Sequence, residues 1–203
     1  MHRRVKGNHL RFEAVEGAVK TATLDEASLI VRAKRGELRA YEEVVALHQD
    51  IAFRVAWLIT GSAADAEEAA QDAFLKAYRA LGRFRDGAPF RPWLLRITAN
   101  EARNRRVANS RRERLLRRIG EEDRDRIAVS PETTILDSDR RQALIVALWQ
   151  LTERDRLVIA YRYLLEFSEA ETAAALGCRQ GTVKSRLSRA LGRLRAEMEK
   201  AHD

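Results

Sequence analysis

The apolar residues of this chain recur every three or four positions, which is the spacing of one face of an α-helix. The clearest run extends from Tyr41 to Leu58 and stops at Thr60-Gly61. His48 lies on its apolar face, so we interpret it as a core or boundary residue and not as a ligand. Aromatic residues make up only 6% of the 203 residues and charged residues 33%, a mixture that favours helices over strands. The sequence therefore predicts an all-α protein.

The helical segments fall into two groups along the chain. Periodicity is weak over residues 109–137, where "VSPETT" is typical of a flexible connection. Residues 1–22 are polar and weakly periodic, and we expect them to be a disordered tail. The sequence therefore predicts two small helical domains, over residues 23–108 and 138–203, joined by a flexible linker over 109–137.

The charge of the chain is concentrated in one segment. The formal net charge is +8, and the ten arginines and two acids between Phe90 and Arg118 account for all of it. The next nineteen residues, to Asp137, carry six acids and two arginines, a charge of −4. Such a pattern favours an anionic partner, nucleic acid before membrane.

Several classes of protein are excluded by simple counts. No segment approaches the roughly 20 apolar residues of a membrane span, and the single cysteine, Cys178, excludes a disulfide framework and a cysteine metal cluster. We expect a cytosolic protein without a metal or another cofactor. A redox role of Cys178 stays an alternative to a small buried side chain.

A helix-turn-helix pattern lies near the end of the chain. Ser168-x-x-Glu171 is a capping box that begins one helix, and Gly177 supplies the left-handed turn that ends it. The next helix buries Val183 and Leu194 and directs polar and basic residues outward, as a helix that enters the major groove does. The outward residues are Arg179, Gln180, Thr182, Lys184, Ser185, Arg186, Ser188 and Arg189. An ordinary helical hairpin with a basic face is the alternative.

The helix predicted from Ala64 to Leu81 has an alanine-rich face and an acidic stripe. Asp65, Glu68 and Asp72 form the stripe, and few cations lie among them in the sequence. An acidic stripe next to a basic block cannot face the same DNA, so we expect it to bind a second partner. A merely solvated face is the alternative.

A loop from Arg83 to Phe90 precedes the arginine-rich segment. We expect Phe84 and Phe90 to be exposed there among arginines, because aromatic rings beside cations stack unpaired bases. Trp93 follows, and core positions for Phe90 and Trp93 are the alternative. Arg96, Asn100, Arg103 and Asn104 then share one helix face at helical spacing.

Two segments of the chain resemble the bacterial sigma-70 family. "DAEEAAQDAFLKAYRAL" with "FRDGAPFRPWLLRITANEARNRR" is similar to region two, and "LTERDRLVIAYRYLLEFSEAETAAALGCRQGTVKSRLSRALGRLR" is similar to region four. The resemblance covers roughly residues 24–107 and 138–196, in the order of the family. Two such domains with little else resemble its smallest class, the extracytoplasmic-function (ECF, group IV) sigma factors.

The resemblance implies a non-enzymatic subunit that gives core RNA polymerase its choice of promoter in the bacterial cytoplasm. The implied partners are the β′ clamp helices and β flap of the core, promoter DNA and an anti-sigma factor. The residues implied to bind the core are Asp65, Glu68, Gln71 and Asp72. Those implied to melt and hold the −10 element are Arg83, Phe84, Arg85, Asp86, Phe90, Trp93, Arg96, Asn100 and Arg103. The −35 element would contact the outward residues from Arg179 to Arg189 and, through a phosphate, Arg162.

Some positions depart from the family pattern. Ala69-Ala70 replaces a bulkier apolar pair, Asn104 stands where an aspartate is frequent, and Cys178-Arg179 replaces a pair that ends in proline. These departures affect the expected promoter sequence more than the expected function.

The length of the linker is consistent with two separated DNA elements. A flexible coil of 29 residues spans roughly 30 Å and an extended one about 95 Å, whereas elements two helical turns apart are roughly 70 Å distant. We therefore expect the linker to run extended in a promoter complex. Two rivals remain: a helix-turn-helix repressor or activator, and an enzyme acting on nucleic acid. The enzyme is disfavoured, because the sequence has no Walker loop, no HExxH and only scattered histidines.

Overall fold

A computed structural model describes residues 26–119 and 138–200, and every regular element within these two ranges is helical. The prediction of an all-α fold is confirmed for this part of the chain. The predicted tail, residues 1–22, lies outside the described residues.

The first four helices follow one another closely. Helix α1 covers residues 26–34, α2 Leu38–Thr60, α3 Ala63–Ala80 and α4 Phe90–Ile119, with a 3₁₀ turn over Leu81–Arg83 after α3. Positive φ angles of 91° at Gly36 and 75° at Gly61 end α1 and α2, in a region that other residues rarely adopt.

The remaining helices form the second half of the described chain. They are α5 (Ser138–Gln150), α6 (Glu153–Ile159), α7 (Glu169–Leu176) and α8 (Gln180–Lys200), with a π-helical segment over Ala160–Leu164. We refer to α5–α8 as the helix-turn-helix module. One apolar core joins its helices, with contributions from Leu148, Val158, Ala173, Val183 and Leu194.

The described residues divide into two compact units. The first comprises residues 26–48 with Tyr78–Ala88. In it the rings of Tyr41 and Tyr78 lie 4.8 Å apart. His48 is 7% exposed, and its Nε2 lies 2.6 Å from an oxygen of Glu26. The interpretation of His48 as a core or boundary residue is confirmed.

The second unit contains residues 49–77 and the described residues from Pro89 onward, and therefore includes α4 and the whole helix-turn-helix module. The alanine-rich face of α3 is buried here, with Ala66 and Ala73 fully inaccessible. Trp57 of α2 packs edge-on against Trp149 of α5, with ring centroids 5.2 Å apart.

The end of α4 differs from the expectation. Residues 109–119, which we expected to begin a flexible linker, continue the helix to Ile119. The arginines of this segment are good helix formers, and neither glycine nor proline occurs between Pro92 and Gly120. The other residues of the predicted linker, 120–137, lie outside the described part of the chain.

Candidate nucleic-acid interface

The helix-turn-helix geometry expected near the end of the chain is present. The Ser168 hydroxyl accepts from the backbone N–H of Glu171, and the Glu171 carboxylate accepts from that of Ser168, which completes the capping box. Gly177 ends α7 at φ 63° and ψ 39°, a left-handed conformation.

The outward side of α8 carries the polar residues that the sequence analysis assigned to base reading. Val183 and Ala190 are fully buried on the opposite side of α8 and hold it against the module core. Thr182 and Arg186 are half-buried, and the other outward residues are exposed: Arg179, Gln180, Lys184, Ser185, Ser188 and Arg189. Exposed arginine, glutamine and hydroxyl side chains on one side of a helix are able to bond base edges and phosphates.

Arg162 does not lie free on this surface. Its guanidinium donates to the backbone carbonyl of Phe167, and its Nε is buried without a partner among the described residues. The structure therefore gives Arg162 a role in holding the segment before α7.

The expected exposure of two aromatic rings is wrong. Phe84 is 6% exposed and Phe90 1%. The backbone N–H of Phe84 closes the 3₁₀ turn on the carbonyl of Leu81 at 3.0 Å. Phe90 starts α4 and packs on Trp93 at 5.4 Å, so Phe90 occupies the core position that we had kept as its alternative. Trp93 is only half-buried.

The polar residues of the Arg83–Phe90 loop remain accessible. Arg83, Arg85 and Asp86 are exposed. Lys34 holds the loop, because its Nζ donates to the carbonyl of Phe84 at 2.8 Å and to Asp86 at 2.5 Å.

The basic face of α4 contacts the helix-turn-helix module. Arg96 and Asn100 are exposed, but Arg103 is half-buried and its Nε donates to Glu153 of α6 at 2.7 Å. Arg106 donates to the other oxygen of Glu153 at the same distance. Sequence reasoning missed Glu153, since an acid in the first turn of a helix is already explained by the helix dipole.

Two further contacts join α4 to this module. Arg91 donates to the backbone carbonyl of Leu165 at 3.1 Å, and its guanidinium lies 4.6 Å from the ring centroid of Phe167. A side chain at Gly177 would lie 3.8 Å from the guanidinium of Arg96. The face that carries Arg96 and Arg103 is therefore partly covered by the module.

The acidic stripe of α3 is paired with one arginine and one asparagine that the sequence analysis did not foresee. Arg105 of α4 bonds Glu68, and it bonds Asp72 at 3.0 Å. The Nδ2 of Asn109 lies 2.8 Å from both oxygens of Asp65. Glu68 and Asp72 stay 59% and 49% exposed, and Gln71 is exposed, so the stripe is still accessible to a partner.

Burial shifts the pKa values of two groups within the module. Arg156 is 5% exposed and donates to the carbonyls of Leu148 and Trp149 at 3.3 Å. Its burial lowers the pKa of the guanidinium to about 10. Burial likewise raises the pKa of Tyr161.

The described residues contain neither a group of side chains that could hold a metal ion nor a helix that could span a membrane. Among residues 26–119 and 138–200, no group of three or more His, Cys, Asp or Glu side chains could hold a metal ion. In the same ranges no helix is both long and apolar enough to span a membrane.

The fold and the site together define a helical DNA-binding protein with a helix-turn-helix module and a separate arginine-rich helix. Residues 44–112 match the family described as sigma-70 region 2, and residues 141–194 match sigma-70, region 4.

Curated relatives agree with these matches. The chain is 32% identical to the RNA polymerase sigma-H factor of Pseudomonas aeruginosa, over 81% of this chain and 89% of that protein. It is 33% identical to the ECF RNA polymerase sigma-E factor of Escherichia coli K12, over 82% of this chain and 91% of that protein. The chain belongs to the sigma-70 family, among its ECF sigma factors.

Two solved structures resemble this chain over most of its length. One is CnrH in complex with the cytosolic domain of CnrY, with a TM-score of 0.64 and 27% identity over 87% of this chain and 98% of that one. The other is the sigma factor RpoE of Bartonella quintana in complex with the anti-sigma factor NepR. It has a TM-score of 0.63 and 27% identity over 78% of this chain and 96% of that one.

Proposed function

We propose that this chain binds bacterial core RNA polymerase and directs initiation at promoters whose −35 element is read by α8 and whose −10 element is held by α4 and the preceding loop. The observation that carries the proposal is the outward polar side of α8 on a complete helix-turn-helix, in a chain that also matches region 2. The polymerase supplies the catalysis, so we propose that the chain itself is not an enzyme. Transcription takes place in the bacterial cytoplasm, and we propose that the chain acts there.

Region 2 would occupy residues 23–108 and region 4 residues 138–203. The acidic stripe supports core docking, because the Glu68 and Asp72 side chains are 59% and 49% exposed, beside the buried alanines of α3. We assign Asp65, Glu68, Gln71 and Asp72 to the β′ clamp helices, and the module to the β flap.

At the −10 element, accessible polar side chains and one ring support DNA contact. Arg83, Arg85, Arg96 and Asn100 are exposed, and Trp93 is half-buried. Phe84, Asp86 and Phe90 would act by holding the loop and the start of α4, since both phenylalanine rings are buried and Asp86 bonds Lys34. Arg103 would contact DNA only after it leaves Glu153.

At the −35 element, α8 would lie in the major groove. We assign base and phosphate contacts to its outward residues, Arg179, Gln180, Thr182, Lys184, Ser185, Arg186, Ser188 and Arg189. Arg162 would reach a phosphate only after it leaves the carbonyl of Phe167.

Promoter binding requires that α4 and the helix-turn-helix module separate. Arg103 and Arg106 bond Glu153 directly, whereas the two promoter elements are roughly 70 Å apart. The expectation of an extended linker concerns that separated state and stays a prediction. The two similar solved structures contain CnrY and NepR. We propose that an anti-sigma factor also binds this chain and holds the packed arrangement.

The test is run-off transcription with purified bacterial core polymerase on fragmented DNA of the host, with and without the chain. We expect specific starts with the chain that disappear when Asp65, Glu68 and Asp72 are changed to lysine. Lysine at Glu42, Glu43 and Glu199, which are also exposed acids, is the matched control for the change of charge and should leave the starts intact. Tight binding of the chain alone to discrete duplex sites, without any starts, would instead favour a repressor or activator.

A further inference from the structure

A cleft of about 710 Å³ lies where α4, α6 and α8 meet. Six arginines line it: Arg103 and Arg106 from α4, Arg154 from α6, and Arg186, Arg189 and Arg193 from α8. Only two carboxylates, Glu153 and Asp155, share the lining, so the cleft carries a formal charge of +4.

Both carboxylates of the cleft already accept hydrogen bonds from other protein groups. The two oxygens of Glu153 accept from Arg103 and Arg106 at 2.7 Å. Asp155 is 4% exposed and accepts from Arg193 and from the Thr152 hydroxyl. The excess positive charge therefore has no counterion among the protein groups that line the cleft.

Three arginines of the cleft have guanidinium N–H groups to offer. Arg154 and Arg186 have no hydrogen-bond or ion-pair partner among the described residues, and Arg189 uses only its Nε, on the carbonyl of Ser185 at 3.1 Å. Guanidinium groups bind phosphate oxygens in a planar, two-pronged geometry that also neutralises charge.

The lining also limits the class of anion. It consists of arginine, threonine and two acids, and no aromatic or apolar side chain of the described residues lines it. A volume of about 710 Å³ lies in the range of small-molecule sites. A DNA duplex, whose major groove alone is about 12 Å wide, would not enter such a space.

We propose that this cleft binds inorganic oligophosphate, which bridges the arginines of α4 to those of α8. Because α4 and α8 must separate for promoter binding, the bound anion would oppose it. The effect on promoter binding rests on the proposed function, whereas the binding of oligophosphate does not.

Binding is measured by isothermal titration of the full chain with sodium tripolyphosphate at physiological ionic strength. We expect saturation at one equivalent, and a loss of affinity of roughly tenfold in Arg154→Gln, since one charged hydrogen-bonding group is removed. Arg195→Gln removes the same charge from an exposed site outside the cleft, and it should change the affinity less than about twofold. Equal weakening in both variants would mean diffuse attraction and would overturn the proposal, as would the absence of saturable binding.

Two further ligands test the class of anion. ATP should bind no more tightly than tripolyphosphate, since no aromatic or apolar side chain lines the cleft; tighter binding of ATP would overturn the inorganic assignment. A single-stranded DNA oligonucleotide should bind Arg154→Gln and the wild-type chain alike. An equal loss for the oligonucleotide would place the cleft on a nucleic-acid path instead.

Run-off transcription tests the regulatory part of the proposal, that the bound anion opposes promoter binding. Tripolyphosphate should inhibit transcription with the wild-type chain more than with Arg154→Gln, while its chelation of magnesium acts equally on both. Equal inhibition would overturn the regulatory part. An absence of starts with the wild-type chain would instead contradict the proposed function, and the titration would still decide the binding site.

Discussion

Trp149 of α5 stands edge-on to Trp57 of α2, with ring centroids 5.2 Å apart and ring planes at 87°. Edge-to-face pairs of aromatic rings contribute about 0.5–1.5 kcal/mol beyond the area that they bury. The pair therefore adds a specific attraction between α2 and the helix-turn-helix module. It acts in addition to the ion pairs that Glu153 forms with α4.

A double-mutant cycle with Trp57→Leu and Trp149→Leu should show this coupling. We expect an interaction of about 1 kcal/mol in the free energy of unfolding, because the ring pair is the contact that both single variants remove. Trp149→Leu also removes the stacking of Arg156, and the cycle subtracts that loss. Urea titration followed by circular dichroism gives the free energies of unfolding of the wild-type chain, the two single variants and the double variant. Phe53→Leu, at an exposed ring of the same helix, is the control and should not couple to Trp149. A coupling near zero for Trp57 as well would contradict the packed arrangement.

The charge of Glu153 should control the affinity of α4 for single-stranded DNA. In Glu153→Gln, Arg103 and Arg106 lose their shared anion, and we expect an oligonucleotide of the −10 type to bind more tightly. Each added phosphate contact should steepen the salt dependence by about 0.7 in log–log slope for a single strand.

Fluorescence anisotropy at several salt concentrations measures both effects of the Glu153 change. Glu199→Gln alters an exposed acid on α8 by the same charge and serves as the control. If the two variants bind the oligonucleotide identically, Glu153 does not restrain the arginines of α4.

Arg105 should restrain the docking of the chain on core polymerase. It bonds Glu68 and Asp72, two of the acids assigned to the core. Arg105→Gln removes the ion pairs of both carboxylates, so we expect affinity for the core to rise up to about fivefold, the equivalent of one surface ion pair. Biolayer interferometry on immobilised core measures it, with Arg112→Gln, an exposed arginine of the same helix, as the control. A loss of affinity would assign Arg105 itself to the interface.

The left-handed turn at Gly177 should be costly to replace. Gly177→Ala should reduce the free energy of unfolding by roughly 1–2 kcal/mol, because φ is 63° there and a Cβ disfavours that conformation. The nearest side-chain atom would be 3.8 Å away, so the cost is conformational and not steric. Gly192→Ala, in open space on α8, should instead stabilise by up to about 1 kcal/mol. Thermal unfolding measures the change in stability of both variants. A change of the same sign in both would contradict a conformational cost that is specific to Gly177.

Arg156 should be a structural cation of the module. Arg156→Met removes its hydrogen bonds to the end of α5 and its stacking on Trp149 at 4.0 Å, and we expect a loss of roughly 2–4 kcal/mol in stability. Burial lowers the pKa of Arg156 only to about 10. The guanidinium is therefore protonated in both the folded and the unfolded chain from about pH 6 to 9. The loss of stability in Arg156→Met should not vary with pH in that range. Denaturant titrations across that range test both statements, and a strong pH dependence would contradict them.

The elements that were predictable depend on contacts between near neighbours in sequence. The capping box at Ser168, the turn at Gly177 and the apolar spacing of α2 are local, so each was predicted and is present. The helical continuation to Ile119 was missed because weak apolar periodicity was interpreted as a loop, although arginine favours a helix.

The sequence by itself determined the helical class, the helix-turn-helix and the side chains that α8 directs outward, because these follow from spacing and from bonds across a few residues. Only the tertiary structure decided that the rings of Phe84 and Phe90 are buried, and that Arg105 pairs with two acids of the stripe. It also decided that Glu153 draws together the arginines of α4. Burial and ion pairing between distant segments depend on how helices pack, and no local pattern of residues encodes that packing.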